Sequence, residues 1–155
     1  MTRTSAGLLP YRRGSDGELL VFIAHMGGPL WAKKDAGGWS IVKGEYVAGE
    51  EDPRAAAERE FLEETGAPAP TGDWLDLGTV RTTSGKVITA WAVEAPATLT
   101  LAVPGTFEME WPPRSGRRQS FPEVDRAQWT PLDAARIALV SGQIPFLDRL
   151  AATLA

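Results

Sequence analysis

The sequence has no cysteine, which excludes disulfides, thiol nucleophiles and cysteine–zinc sites. It has one histidine, His25. A Ser-His-Asp hydrolase would have to use it, and no nucleophile motif surrounds it. His25 ends an apolar run and reads most simply as a hydrogen-bonded strand residue. There is no excess of positive charge; the formal net charge is −4, so a broad electrostatic footprint for duplex nucleic acid is missing. Long apolar runs are missing too. The start, MTRTSAGLLPYRRG, lacks the apolar core of a signal peptide, and the longest run, Leu19 to Met26, is too short to span a bilayer. The expected location is therefore cytoplasmic, with no membrane partner. Repeats, low-complexity tracts and domain linkers are also absent.

What remains is an ordinary globular composition, 43% hydrophobic and 23% charged over 155 residues. That length suits one domain, 1–155, able to bury a proper core. Strand patterns run from Ser5 to Arg13 and from Glu18 to His25, joined through the turn signal Asp16-Gly17. Trp39 to Val42 forms a short strand. Trp74 to Thr83 and Lys86 to Glu94 form a hairpin through Ser84-Gly85. Thr98 to Val103 fits a strand or an extended loop, and Thr106 to Trp111 alternates weakly. Pro112 to Pro122 reads as a loop and Glu123 to Trp129 as a short strand. Thr130-Pro131-Leu132-Asp133 has capping-box logic for a helix reaching about Val140. A last helix covers Ile144 to Leu154, with apolar residues at helical spacing. Strands, helix, strands and helices in this order imply an α+β or α/β layered domain.

The most informative stretch is Gly44 to Ala67. Asp52 and Pro53 make a helix start, and Gly66 stands where a left-handed residue ends a helix. Between them Glu60, Glu63 and Glu64 occupy i, i+3 and i+4, on one face one turn deep. Arg59 can pair with Glu63 at i+4. Clustered carboxylates repel one another, and a hard divalent cation such as Mg²⁺ or Mn²⁺ turns that repulsion into attraction. Ala56 and Ala57, one turn earlier, are small enough to leave room for an ion and its waters. The alternative reading is a solvated helix face held by Glu–Arg pairs.

Arg59-Glu60-Phe61-Leu62-Glu63-Glu64-Thr65-Gly66 resembles the second half of the Nudix box without a gap. The first half departs from the pattern by one extra residue between Gly44 and Arg59, so either Glu50 or Glu51 fills the first glutamate position. The closing aliphatic position is Ala67, a weak match. The segments GGPLWAKKDAGGWSIVKGEY and FEMEWPPRSGRRQSFPEVDRAQW are similar to a bacterial Nudix group of nucleoside triphosphate pyrophosphohydrolases.

The resemblance implies a Nudix-type α/β/α sandwich with a mixed β-sheet between helices. It implies hydrolysis of a phosphoanhydride in a nucleoside diphosphate linked to another moiety, with Mg²⁺ or Mn²⁺ as cofactor. An NTP or a dinucleoside polyphosphate is the foremost substrate, and a catalytically silent nucleotide-binding or regulatory module is the alternative. The implied metal ligands are Glu60, Glu64 and Glu63, the Gly44 carbonyl, and Glu123 from a later segment, with Glu108 and Glu110 as substitutes for Glu123. Arg59 holds Glu63. The expected cations for substrate phosphates are Lys43, Arg114, Arg117 and Arg118, with Lys33 and Lys34 in reserve. Trp31, Trp39, Trp111 and Phe121 are the aromatic candidates for a nucleobase.

Overall fold

The computed structural model describes residues 3 to 155. Its strands are β1 (Thr4–Arg13), β2 (Leu19–Met26), β3 (Trp39–Ser40), β4 (Val42–Tyr46), β5 (Trp74–Arg81), β6 (Val87–Glu94), β7 (Thr106–Glu110), β8 (Arg118–Pro122) and β9 (Val124–Pro131). The helices are α1 (Pro53–Thr65), α2 (Leu132–Ala138) and α3 (Ile144–Leu154), with a short 3₁₀ turn at Ser141–Gln143 before α3. The main sheet runs β3-β2-β1-β6-β5, with β4 also paired to β1 and β9 to β2. It is mixed: β1 and β6 are parallel, whereas β1 is antiparallel to β2 and β4. Helices flank both faces, giving the α/β/α sandwich.

Period-two alternation sorts the side chains into two layers. Leu9, Val21, Ile23, Ile88 and Ala90 face Phe146, Leu147 and Leu150 of α3. Their neighbours Leu8, Phe22 and Ala24 face the opposite way, with Phe61 of α1 and Val42. Ala56 and Ala57 are fully buried against Ala6 of β1. This corrects the expectation that they leave room for an ion. Their small size instead lets α1 lie close on β1 and β4, so its neighbouring acidic residues meet the sheet edge.

Two further expectations change. The stretch Pro112 to Pro122 is not loop throughout: Arg118–Pro122 is β8, paired with β7 in a hairpin outside the main sheet. That hairpin is mostly solvated, so no buried apolar face marks it in the sequence. The capping box before α2 does not form. Thr130 donates its hydroxyl to the Gln128 carbonyl, and Pro131 precedes the helix without a side-chain cap.

Candidate active site

Helix α1 starts and stops as its end residues dictate. Asp52 accepts from the Ala55 amide, Pro53 opens the first turn, and Gly66 adopts φ 75° with its amide bonded to the Leu62 carbonyl. The last carbonyls are then used by the following segment. The Ala102 amide donates to Thr65 and the Gly105 amide to Glu63. These bonds satisfy groups that a helix end leaves orphaned. They also bring residues 102–105, and with them the start of β7, against the acidic end of α1.

The extra residue before the helix sits in a tight turn, where the amides of Glu50 and Glu51 both donate to the Val47 carbonyl. The turn leaves Glu50 exposed and presents Glu51 to Arg59. Arg59 grips both Glu51 oxygens, each at 2.9 Å, in a planar fork. It also donates to Glu60 at 2.8 Å and to Glu63 at 3.1 Å. One guanidinium therefore organises three carboxylates, and its own pKa is raised, first by Glu51.

The carboxylates line a cleft of about 540 Å³ formed by Ser5, Lys43, Gly44, Glu45, Glu60, Glu63, Glu64, Lys86, Gly105, Thr106 and Glu123. Glu123 arrives from the β8–β9 junction. Its amide donates to the Gly105 carbonyl, and its carbonyl accepts from the Gly27 amide. Burial raises the pKa of Glu60, with Arg59 pulling it back. Burial also pushes Glu64 up to about 8, and the charges of Glu60 and Glu123 push the same way, while Lys43 opposes them. Glu123 is raised by desolvation as well. Lys43 is lowered, first by burial, with Lys86 acting in the same direction and Glu64 against it.

The donor set is all oxygen, as a hard divalent cation requires. Gly44 is part of the fit: a Cβ there would stand 1.9 Å from a Glu60 oxygen, so only glycine lets that carboxylate lie against β4. Among the described residues no three acidic or histidine side chains converge into a closed ligand cluster as placed. Glu60 is drawn to Arg59 instead, accepting from its Nη1 at 2.8 Å.

The other expected residues divide sharply. Glu108 and Glu110 lie on the exposed face of β7, opposite Phe107 and Met109. Glu110 accepts from the amides of Arg114 and Gly116, so it caps the hairpin turn. Arg114, Arg117 and Arg118 stand at that turn. Glu110 pairs with Arg118, whereas Thr106, at the cleft, pairs with Pro122. The arginines are thus about 13 Å further along the hairpin and do not line the cleft. Lys33 and Lys34 are exposed, and Lys34 lies over the Trp31 ring. Trp39 is core, bonded through Nε1 to Asp35. Phe121 packs on Phe107, and the Trp111 amide and carbonyl are bonded within the hairpin. His25 is buried, with Nδ1 at 2.7 Å from Asp125 and Nε2 at 2.6 Å from the Lys34 carbonyl. Sequence reasoning missed Lys86, Glu45 and Ser5. Only strand pairing brings them to the cleft, through Thr4 opposite Val87 and Ser5 opposite Glu45.

Among curated proteins none matches this sequence. Among solved structures, the C. elegans Ap4A hydrolase is 21% identical, with a TM-score of 0.66 and full coverage of both chains. The NUDIX domain of Shewanella oneidensis NrtR, complexed with ADP ribose, is 16% identical, with a TM-score of 0.63 over 100% of this chain and 90% of that one. The E. coli ORF135 protein is 22% identical, with a TM-score of 0.59 over 99% and 91%. The family model of the NUDIX domain matches residues 1–150, and on that match the chain belongs to the Nudix superfamily.

Proposed function

We propose that the protein is a divalent-metal-dependent pyrophosphohydrolase. Its substrate is a nucleoside diphosphate linked to another moiety, with nucleoside triphosphates and dinucleoside polyphosphates as first candidates. The observation that carries this reading is the meeting of Glu60, Glu63 and Glu64 from one helix with Glu123 from a distant strand junction, in one cleft that also holds Lys43 and Gly44. The fold neighbours named for Ap4A and complexed with ADP ribose support a nucleotide-like substrate.

Glu60, Glu64, Glu123 and the Gly44 carbonyl would hold Mg²⁺ or Mn²⁺, which when bound supplies charge neutralisation at the phosphates and a more acidic water. The protein's own part is positional. Arg59 fixes where Glu60 and Glu63 lie. Glu64, raised to about 8, would have to give up its proton to serve as a ligand, so metal affinity would rise with pH up to that value. Lys43 places a cation beside Glu64 that attracts a phosphate without neutralising the whole acidic cluster.

Release of phosphate or pyrophosphate from a panel of nucleotides in Mg²⁺ tests the reading. Release that is abolished by EDTA and by Glu64→Gln is expected. Nucleotide binding with no release from any member of the panel favours the silent module and overturns the enzyme.

A further inference from the structure

Next to the acidic cleft lies a second pocket of different character. It is about 320 Å³ and is lined by Met26, Gly27, Gly28, Leu30, Trp31, Phe107, Met109 and Glu123. Glu123 is the one residue common to both cavities. It is also the only ionisable side chain of the second, where the other side chains are aliphatic, thioether or aromatic. Phe107 lies directly on Gly28, where a Cβ would stand 2.7 Å from Cζ. Leu30, which lines this pocket, is 69% exposed.

On the opposite side of the acidic cleft stand two ammonium groups. Lys86 precedes β6, and its charge acts on both Lys43 and Glu45. Among the described residues neither Lys43 nor Lys86 is in an ion pair. Strand order sets the layout. β4 lies on one edge of β1 at Ser5, and β6 takes the other. Lys86, one residue before β6, and the Lys43–Glu45 strand therefore stand on either side of β1, two strand spacings or about 10 Å apart, and the second pocket adjoins the same cleft at Glu123.

We propose that the substrate lies across the sheet in one direction, with its nucleobase in the Trp31–Phe107–Met109 pocket and its outermost phosphates at Lys43 and Lys86. This rests on the hydrolase reading of the same cleft. It assigns Lys86 as a phosphate-positioning residue and leaves the hairpin arginines out. It also fixes a specificity. A slot with Met and aromatic walls stacks any base, because every base has an apolar face, and its polar side-chain groups are limited to the Trp31 indole N–H and the Glu123 carboxylate, which is shared with the acidic cleft. Two backbone amides at the pocket are already used, Gly27 by the Glu123 carbonyl and Trp31 by the Gly28 carbonyl. Discrimination by such a pocket is weak, so the protein selects for phosphate chain length over base identity.

The test is equilibrium binding by calorimetry with Ca²⁺ in place of Mg²⁺, so that the nucleotides are not consumed during the titration, using ATP, GTP, CTP, UTP, AMP and inorganic tripolyphosphate on the wild type, Phe107→Ala and Lys86→Gln. The four triphosphates should bind the wild type within about fivefold of one another. Phe107→Ala should weaken all four about tenfold and tripolyphosphate less than about twofold. Lys86→Gln should weaken ATP and tripolyphosphate alike, about five- to tenfold, and AMP little. The wild-type base panel needs no variant, so it decides even where Phe107→Ala fails to fold. A preference of about a hundredfold for one base, or equal losses for ATP and tripolyphosphate in Phe107→Ala, overturns the assignment of the pocket. An unchanged Lys86→Gln overturns the direction. Binding in the expected pattern without hydrolysis keeps this inference and removes the hydrolase reading. Metal-dependent hydrolysis without the pattern does the reverse.

Discussion

Helix α1 and the β7–β8 hairpin each gather charges of one sign into a few residues, and the structure uses them in opposite ways. On α1 the spacing of Glu60, Glu63 and Glu64 fixes their common face. The close packing of Ala56 and Ala57 on Ala6 then presses that face into the cleft. On the hairpin, Arg114, Arg117 and Arg118 are equally local in sequence, yet they gather at the turn, at the far end from the cleft. The part of the hairpin that reaches the cavities is its other end and its apolar face, with Thr106 and the following Glu123 at the cleft and Phe107 and Met109 in the adjoining pocket. A charge cluster matters where the backbone carries it, and a helix held at both ends carries it more predictably than a solvated hairpin.

The comparison breaks most sharply at Glu64. Glu64→Gln keeps the shape and removes the charge, and kcat is expected to fall at least about a hundredfold with saturating Mg²⁺. Near-normal turnover in steady-state kinetics would remove Glu64 from the ligand set. Next is Arg59, a positioning residue that holds Glu51, Glu60 and Glu63. Arg59→Ala should lower kcat about tenfold and the melting temperature by a few degrees. Arg59→Lys should recover little of either, because an ammonium cannot form the planar fork to Glu51. Full rescue by lysine in kinetics and thermal melts would show that only charge is needed.

A smaller effect concerns pH. Burial holds Glu64 at about 8, above the ordinary carboxylate range. Between that range and pH 8 the folded protein keeps a proton that the unfolded chain has released. The folded state binds more protons there, so stability falls as pH rises through the window and levels off above it. Melting temperatures in EDTA should therefore decline from about pH 5 to pH 8, and Glu64→Gln should flatten much of that decline; an unchanged slope would place the titration elsewhere. Smallest of all is the hairpin turn. Arg117→Ala and Arg118→Ala should change kcat/KM by less than about twofold at moderate salt, since screening removes most of the charge effect at their distance. A KM that climbs with substrate phosphate number in either variant would show that the hairpin bends over the cleft and would erase the contrast with α1.

Much of α1 was determined by sequence alone. The Asp52 cap, Pro53, the Gly66 stop and the i, i+3, i+4 carboxylates are local features, and local backbone geometry needs no partner to place them on one face. The strands β1, β2, β5 and β6 were legible as runs of β-forming residues bounded by turn signals, and β1 and β2 are buried on both faces. Tertiary structure decided the rest. It aimed Glu51 rather than Glu50 at Arg59, and it turned Ala56 and Ala57 from spare room into a packing surface. It also brought Lys86 and Glu123 to the cleft and carried three arginines away. These outcomes depend on which strands pair and in what register, and pairing is set by burial across the whole sheet, which no short window of sequence contains.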